Sequence, residues 1–265
     1  MTPGGFIDIH CHLLPNIDDG SKSWNETLKM AKLAVNDGIS TIVATPHQLG
    51  SYIRTHGDAI LDQTTKLQSY LESQGIPLHV LPGADVRIEA DLTDKLASGE
   101  VLTLANRGKH VLLELPHELY FPLENLHQQL QTAGYTGILS HPERNQGILR
   151  DWKVIRTLID QGYLMQITGS SLRGTFGRHS QKMAEWMVLE GLAHIVASDA
   201  HGSNGRRPLL RPAFERVTSL ANIETANLLC HTNPAAVALG GTVQKPLKFN
   251  GMSRFTRLLG FRQAG

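Results

Sequence analysis

The feature that most constrains the fold is a repeated alternation between short apolar segments and longer amphipathic ones. Seven segments have the length and composition of buried strands: 6–10, 41–45, 78–81, 111–115, 137–140, 164–168 and 195–198. Helical patterns lie between or after them: 25–37, 58–73, 123–133, 152–161, 180–190 and 211–220, with a short helix from 234. Strands that alternate with helices form parallel sheets with the helices outside. The pattern predicts an α/β fold, either a barrel or an open doubly wound sheet.

Glycine-rich phosphate loops are missing from the ends of these strands. Neither GxGxxG nor GxxxxGK[ST] follows any predicted strand, which disfavours dinucleotide-binding and P-loop sheets. The chain has 265 residues, and α/β barrels of that length often form a single domain. These observations favour the barrel.

The last segment of the chain differs from the rest in composition. From residue 241 onward it contains bases and no acids: Lys245, Lys248, Arg254, Arg257 and Arg262. Phenylalanine and leucine residues are interleaved with these bases. We therefore predict a barrel domain at 1–240 and a basic-aromatic tail at 241–265. Such a tail could bind an anionic membrane surface or a membrane-bound partner, or pack on the outside of the barrel.

Charge and cysteine content exclude several classes of protein. A net charge of +1 argues against a nucleic-acid-binding protein, which normally carries a marked basic excess. Two cysteines, Cys11 and Cys230, provide no disulfide framework and fit a reducing compartment. The first residues lack a signal-peptide pattern, and no stretch approaches a membrane-spanning length. We expect a cytoplasmic protein, located at the inner face of the membrane if the tail binds there. The oligomeric state stays open.

Six of the seven predicted strands end in residues that can bind metals. These residues are His10, His12, His47, Asp85, Glu114, His141, Asp199 and His201. The carboxyl ends of barrel strands form the face on which active sites of such barrels lie. His10 and His12 are two apart on a strand, so their side chains project to the same side. The sequence therefore predicts a polynuclear metal site at this face.

The type of ligand indicates the chemistry of the site. Imidazole and carboxylate groups without a thiolate cage suit manganese, iron, zinc or cobalt. Two or three such ions bind phosphate oxygens and convert a water into hydroxide for in-line attack on phosphorus. Glu114 lies between two leucines and would be a costly buried charge without a metal or a partner. We expect Asp8 to support the ligands from behind. The prediction is a metal-dependent phosphoesterase.

Six short segments resemble the PHP (polymerase and histidinol phosphatase) superfamily: DIHCH at 8–12, DDG at 18–20, ATPH at 44–47, SHPERN at 140–145, QIT at 166–168 and ASDAH at 197–201. Together they resemble the bacterial manganese-dependent tyrosine phosphatases of capsule and exopolysaccharide operons, the CpsB type. This resemblance covers almost the whole chain. It implies a distorted (β/α)7 TIM-like barrel, the PHP fold, with its metal site at the C-terminal ends of the strands.

The resemblance also implies a trinuclear cluster. One ion would take His10, His12 and Asp199 together with a shared carboxylate at position 85. A second would take Asp19, His47 and His201, and a third would take Glu114, His141 and the shared carboxylate. Arg144 and Arg206 match the family's phosphate-binding arginines. This chain has Asp85 where the family has a glutamate. If Asp85 were only a turn residue, Glu89 would be the substitute ligand.

Three functions fit these observations. A cysteine-dependent tyrosine phosphatase is excluded because Ile17 and Ala236 stand where a Cys-x5-Arg loop requires arginine. By resemblance we favour a phosphotyrosine-protein phosphatase that acts on an autophosphorylated, membrane-associated tyrosine kinase of polysaccharide export. The alternatives are a small-molecule phosphatase, such as a histidinol-phosphate phosphatase, and a regulatory protein with a degenerate metal site. The expected cofactor is two or three Mn²⁺ ions, with Fe, Co, Zn or Mg as alternatives.

Overall fold

The computed structural model describes residues 4–249 as an α/β barrel. Its strands are β1 (Phe6–Cys11), β2 (Ile39–Ala44), β3 (His47–Gln48), β4 (His79–Pro82), β5 (Asp85–Arg87), β6 (His110–Glu114), β7 (Thr136–Ser140), β8 (Leu164–Thr168) and β9 (Ile195–Ala197). Its α-helices are α1 (Trp24–Asp37), α2 (Gly57–Ser73), α3 (Leu92–Ser98), α4 (Glu124–Thr132), α5 (Gln146–Arg150), α6 (Lys153–Gln161), α7 (Gly177–Leu189), α8 (Arg211–Leu220), α9 (Ile223–Asn227) and α10 (Asn233–Ala238). Within this part of the chain no helix is long and apolar enough to cross a membrane.

Parallel pairing arranges the strands in two sheets. One has the order β1-β2-β4, and the other has the order β3-β5-β6-β7-β8-β9. β1 and β9 meet where Cys11 pairs with Ala200. There the His12 amide donates to the Ala200 carbonyl at 2.9 Å, and the Asp199 amide donates to the His10 carbonyl at 2.8 Å. This contact closes the barrel on one side and confirms the predicted barrel over the open sheet.

Two of the seven predicted strands are each followed by an additional short strand. The strand expected at 41–45 is β2, and β3 follows it; the strand expected at 78–81 is β4, and β5 follows it. Pro46 has no N–H to donate and interrupts the first ladder. The Thr45 amide, the last before the proline, donates to the Cys11 carbonyl of β1 at 2.9 Å. Gly83 lies in the second break, where a Cβ would come within 2.7 Å of Val43. If β2 and β3 are counted as one position, and β4 and β5 as another, the barrel wall has the seven strand positions that were predicted.

Apolar side chains fill the barrel and join it to its helices. A smaller cluster draws on successive strands and on α10, and includes Ile7, Val43, Leu112, Ile138 and Val237. A larger cluster combines outward-facing strand residues with buried residues of α1, α2, α6 and α7. Burial of each large aliphatic side chain contributes roughly 1.5–3 kcal/mol. This packing fixes the strand ends relative to one another, and the functional side chains extend from those ends.

The beginning of the predicted tail packs on the outside of the barrel. Lys248 pairs with Glu190 at 3.0 Å, and the Phe249 amide donates to the Leu189 carbonyl at 2.9 Å. The boundary predicted at residue 240 stays a prediction. Arg254, Arg257 and Arg262, on which the predicted basic-aromatic character largely depends, lie outside the described residues.

Asp8 is a buried carboxylate that joins β1 to the end of β9. It accepts hydrogen bonds from the Ser198 amide at 2.9 Å, from the Ser198 hydroxyl, and from the His10 amide at 3.3 Å. Its carboxylate therefore points along the barrel wall and supports the strand that carries His10. This position agrees with the supporting role expected from the sequence.

We expect Asp8→Ala to lower the free energy of unfolding by about 2–3 kcal/mol, because buried amide and hydroxyl donors would lose their acceptor. Urea unfolding followed by circular dichroism measures this change. The matched control is Asp62→Ala on α2, which removes an exposed ion pair with Lys66 and should change the free energy by less than about 1 kcal/mol. Equal effects of the two substitutions would contradict the role assigned to Asp8.

Candidate metal centre

Nine potential ligands come together at the carboxyl ends of the strands. They form four overlapping groups, and within each group the ligand atoms lie within 4.8 Å of one another. The nine residues are His10, His12, Asp19, His47, Asp85, Glu114, His141, Asp199 and His201. These are the nine residues predicted from the sequence, and within residues 4–249 no other residue enters such a group. Their role as ligands stays a prediction.

Ring nitrogens of His10 and His12 face each other across the centre of the site. Their Nε2 atoms are 3.2 Å apart. The Nδ1 of His10 lies 2.9 Å from Oε1 of Gln166, and the Nδ1 of His12 lies 2.6 Å from Oδ2 of Asp18. Both acceptors require N–H on Nδ1, so in the neutral rings each Nε2 carries a lone pair, the arrangement usual for metal-binding histidines. Two such lone pairs at this distance repel each other unless a cation or a proton lies between them.

The loop after β1 explains why the sequence has two aspartates followed by glycine. Asp18 turns inward and also accepts from the amides of Gly20 at 2.9 Å and His47 at 3.1 Å. A Cβ at Gly20 would lie 2.4 Å from both Cβ and the carbonyl oxygen of His12, so the position requires glycine. Asp19 is half-exposed and lies 3.5 Å from Nε2 of His47 and from Nε2 of His201. The first aspartate orients a ring, and the second faces the site.

Asp85 is fully buried, yet neither of its carboxylate oxygens accepts a hydrogen bond from the described residues. One oxygen lies 3.5 Å from Nε2 of His10 and 3.5 Å from Nδ1 of His47. Such a buried carboxylate is costly unless a cation compensates it. Glu89 points elsewhere, because it accepts from the Gly50 amide at 3.0 Å and pairs with Lys95 at 2.9 Å. The geometry therefore fits Asp85, and not Glu89, as the carboxylate that would face bound ions.

The pKa shifts in the site reflect burial and the number of carboxylates gathered there. Burial lowers the pKa of His12, but the Asp18 and Asp199 carboxylates outweigh it and raise this pKa to about 10. Burial and then the neighbouring Asp85 carboxylate raise the pKa of Glu114 above its ordinary value. A bound cation would relieve both effects, because it favours neutral imidazole and ionised carboxylate. The donor set thus fits divalent ions.

Backbone strain aims two of the predicted ligands. His141 has a φ of 35° and Asp199 has a φ of 52°, in the left-handed region that residues other than glycine rarely adopt. His141 directly follows β7 and Asp199 is the second residue after β9, so both lie where the chain leaves the barrel wall. Strained residues of this kind cluster at functional sites because the surrounding structure must hold them in place. The conformation turns both side chains into the mouth of the barrel.

Asp199 connects the potential ligands to the two predicted phosphate-binding arginines. One of its oxygens lies 3.3 Å from Nε2 of His10 and 3.6 Å from Nε2 of His12. The other oxygen contacts both Arg144 and Arg206. The two guanidinium groups also lie over the ring of Phe176, with their carbons 4.2 Å and 5.8 Å from its centroid. Two positive forks are therefore held at the edge of the site.

The grouping of ligands differs in part from the partition implied by the resemblance. Asp19, His47 and His201 group together as expected, with His12 added. Glu114 groups with Asp85 and His47, whereas His141 groups with His10 and Asp199. The assignment of ligands to individual ions stays a prediction.

Three supporting residues had no role assigned from the sequence. Asp18 orients His12, Gln166 orients His10, and Phe176 underlies the two arginines. The DDG motif includes Asp18, but adjacent carboxylates cannot be told apart by spacing. A polar residue between Met165 and Ile167 in strand β8 was the available signal for Gln166. We find no sequence signal for Phe176.

A parallel α/β barrel with imidazoles, carboxylates and paired arginines at one mouth defines a metal-dependent hydrolase of the TIM-like class. Residues 6–238 match the protein family described as capsular polysaccharide synthesis, CpsB/CapC. The chain belongs to this family, and the resemblance found in the sequence is confirmed.

Relatives and a solved structure agree with this assignment. The tyrosine-protein phosphatase YwqE of Bacillus subtilis (strain 168) is 39% identical over 202 residues, covering 76% of this chain and 79% of YwqE. The tyrosine-protein phosphatase CpsB of Streptococcus pneumoniae is 26% identical over 239 residues, covering 88% of this chain and 98% of CpsB. A crystal structure from work on these two proteins, described as metal-dependent tyrosine phosphatases, matches with a TM-score of 0.87 and 33% identity. The match covers 91% of this chain and 98% of the chain in that crystal structure.

We expect Asp18→Ala to weaken metal binding by about 10- to 100-fold, because His12 would lose the acceptor that fixes its ring and tautomer. Calorimetric titration of the metal-free protein with Mn²⁺ measures the affinity. Asp58→Ala at the exposed start of α2 removes the same charge far from the strand ends and serves as the control. An unchanged affinity in Asp18→Ala would show that the aspartate does not orient the ring.

Proposed function

We propose that this protein is a metal-dependent protein-tyrosine phosphatase. The observation that carries the proposal is Asp199, whose carboxylate contacts histidines of the ligand cluster on one side and both arginines on the other. A phosphoryl group has charged oxygens on several sides, so it needs cations and hydrogen-bond donors together. Membership in a family whose relatives are named tyrosine-protein phosphatases supports the substrate class.

The residues of this chain would divide the work of phosphate-ester hydrolysis. The nine clustered side chains would hold two or three divalent ions, which supply Lewis-acid activation of water and neutralise phosphate charge. Arg144 and Arg206 would orient the phosphoryl group and stabilise the charge that develops on its oxygens. Phe176 would keep both guanidinium groups in position through cation–π contact. Gln166 and Asp18 would keep the ring nitrogens of His10 and His12 directed at the ions.

Mn²⁺ is the metal that we propose, with Fe, Co, Zn or Mg as alternatives. The ligand atoms are imidazole nitrogens and carboxylate oxygens, a set of intermediate softness. Cys11 is buried and belongs to the larger apolar cluster between the strands and the helices, so it supplies no thiolate to the site. The resemblance to manganese-dependent phosphatases favours Mn²⁺ within this range.

The proposed substrate is phosphotyrosine on an autophosphorylated, membrane-associated tyrosine kinase of capsule or exopolysaccharide synthesis. The family's connection to capsular polysaccharide synthesis supports this proposal. The basic-aromatic composition of residues 241–265 supports contact with an anionic membrane surface. We place the protein in the cytoplasm at the inner face of the membrane. Two free, buried cysteines fit a reducing compartment.

A side-by-side assay tests the proposed function. Protein treated with a chelator should lose activity and recover it with Mn²⁺, because the arginines alone cannot activate water. The restored protein should hydrolyse a phosphotyrosine peptide with a kcat/KM at least about tenfold above that for histidinol phosphate. Undiminished hydrolysis after chelation would refute the metal mechanism. Faster turnover of histidinol phosphate would favour the small-molecule alternative, and no turnover of either would favour the regulatory one.

Asp85 offers a separate test of the ligand set. We expect Asp85→Asn to lose bound metal together with activity, because a neutral amide is a poor bridge between cations. Asp85→Glu should retain both, since it restores the residue of the family pattern. Metal content measured by mass spectrometry, beside kcat/KM, reports the outcome. Asp91→Asn, at an exposed aspartate, is the control. Full metal occupancy with normal turnover in Asp85→Asn would remove Asp85 from the ligand set.

A further inference from the structure

A cavity lies beside the candidate metal centre and shares Arg206 with it. Its volume is about 200 Å³, and its walls come from residues 169–175 and 205–213, together with Ser198. The cavity is separate from the ligand cluster, because none of the nine potential ligands lines it. It is large enough for a charged side-chain group with bound waters, since a water occupies about 30 Å³ in the liquid.

The charge of this cavity is one-sided. Arg173, Arg206 and Arg207 line it, and its lining includes no aspartate or glutamate. Arg206 contacts Asp199 through one nitrogen, but its buried Nε has no hydrogen-bond partner among the described residues. Arg173 and Arg207 are exposed and form no ion pair with any carboxylate within residues 4–249. Arg173 and Arg207 therefore bring positive charge to the cavity that the described part of the chain does not neutralise.

The wall that carries Arg173 is firmly held. The buried Glu143 carboxylate accepts from the Thr168 amide at 2.9 Å and from the Ser171 hydroxyl at 2.7 Å. The Gly169 amide donates to the Ala197 carbonyl at 2.8 Å. A Cβ at Gly169 would lie 2.9 Å from the Ala213 methyl group on the facing wall, so glycine permits the two walls to approach. The cavity is thus part of the packed structure.

We propose that this cavity is an anion-binding subsite for a second negatively charged group of the polypeptide substrate. The group is an oxyanion, either a carboxylate or a phosphoryl group, close in sequence to the phosphotyrosine. Guanidinium groups recognise both through paired hydrogen bonds. Because Arg206 borders both sites, an anion in the cavity lies next to the reacting phosphate. This inference rests on the proposed function and specifies its substrate class.

Peptides that differ only in flanking charge test the subsite. Three phosphotyrosine peptides carry neutral flanks, glutamate flanks or a second phosphotyrosine, and p-nitrophenyl phosphate serves as a substrate without flanks. The variant combines Arg173→Ala with Arg207→Ala and leaves Arg144 and Arg206 intact. We expect its kcat/KM to fall roughly tenfold on the anionic peptides and to stay unchanged on the other two substrates. Added salt should shrink the difference.

Two further variants separate charge from structural damage. The double substitution of Arg173 and Arg207 to lysine should recover much of the preference for anionic peptides. Arg150→Ala removes an exposed arginine outside the cavity and should leave all four kcat/KM values unchanged. A loss confined to the doubly phosphorylated peptide identifies the bound group as phosphoryl, and a loss on both anionic peptides shows that carboxylates also bind.

The possible failures can be told apart. Equal loss on neutral and anionic peptides, or no loss on any, would overturn the subsite while the proposed function stands. If the unmodified protein hydrolyses none of the phosphotyrosine peptides, both the proposed function and the subsite fail.

Discussion

The close approach of ring nitrogens and carboxylates at the mouth of the barrel is the constraint on which the rest of the structure depends. Five imidazoles and four carboxylates lie within overlapping groups of a few ångströms. The Nε2 atoms of His10 and His12 face each other at 3.2 Å, and the buried Asp85 carboxylate has no hydrogen-bond donor among the described residues. Such a set is unfavourable by itself in a low-dielectric interior. The fold holds it through Asp8, Asp18 and Gln166, which are neither potential ligands nor part of the apolar core.

The sequence was sufficient to predict much of this arrangement because the signals were local. The alternation of strands and helices predicts the barrel, and the residues after the strands predict which side chains meet. His10 and Asp85 are far apart in the chain, yet His10 lies near the carboxyl end of β1 and Asp85 lies just beyond the carboxyl end of β4. In a barrel those ends lie on one face, so their proximity follows from topology.

Other features could not be predicted because they depend on geometry across the fold. Pro46 marks where β2 ends, but no local pattern shows that β3 then pairs with β5 in the other sheet. The sequence likewise does not distinguish Asp18 from Asp19, since only the close approach of Gly20 to His12 determines which carboxylate turns inward. Phe176 lies in a loop, and its position under two arginines requires three separate segments to meet. The same holds for the arginine-lined cavity.

The two breaks in the barrel wall give bound ions a mechanical role. His10 and His12 extend from the sheet β1-β2-β4, whereas His47, Asp85 and Glu114 belong to the six-stranded sheet. An ion held by ligands from both sheets would act as a cross-link across the seam where backbone pairing is interrupted. Ligands that bind only the folded state stabilise it according to their concentration relative to Kd. The rigidity of the barrel mouth would then follow the supply of divalent metal in its surroundings, so that metal scarcity would loosen the scaffold as well as stop the chemistry.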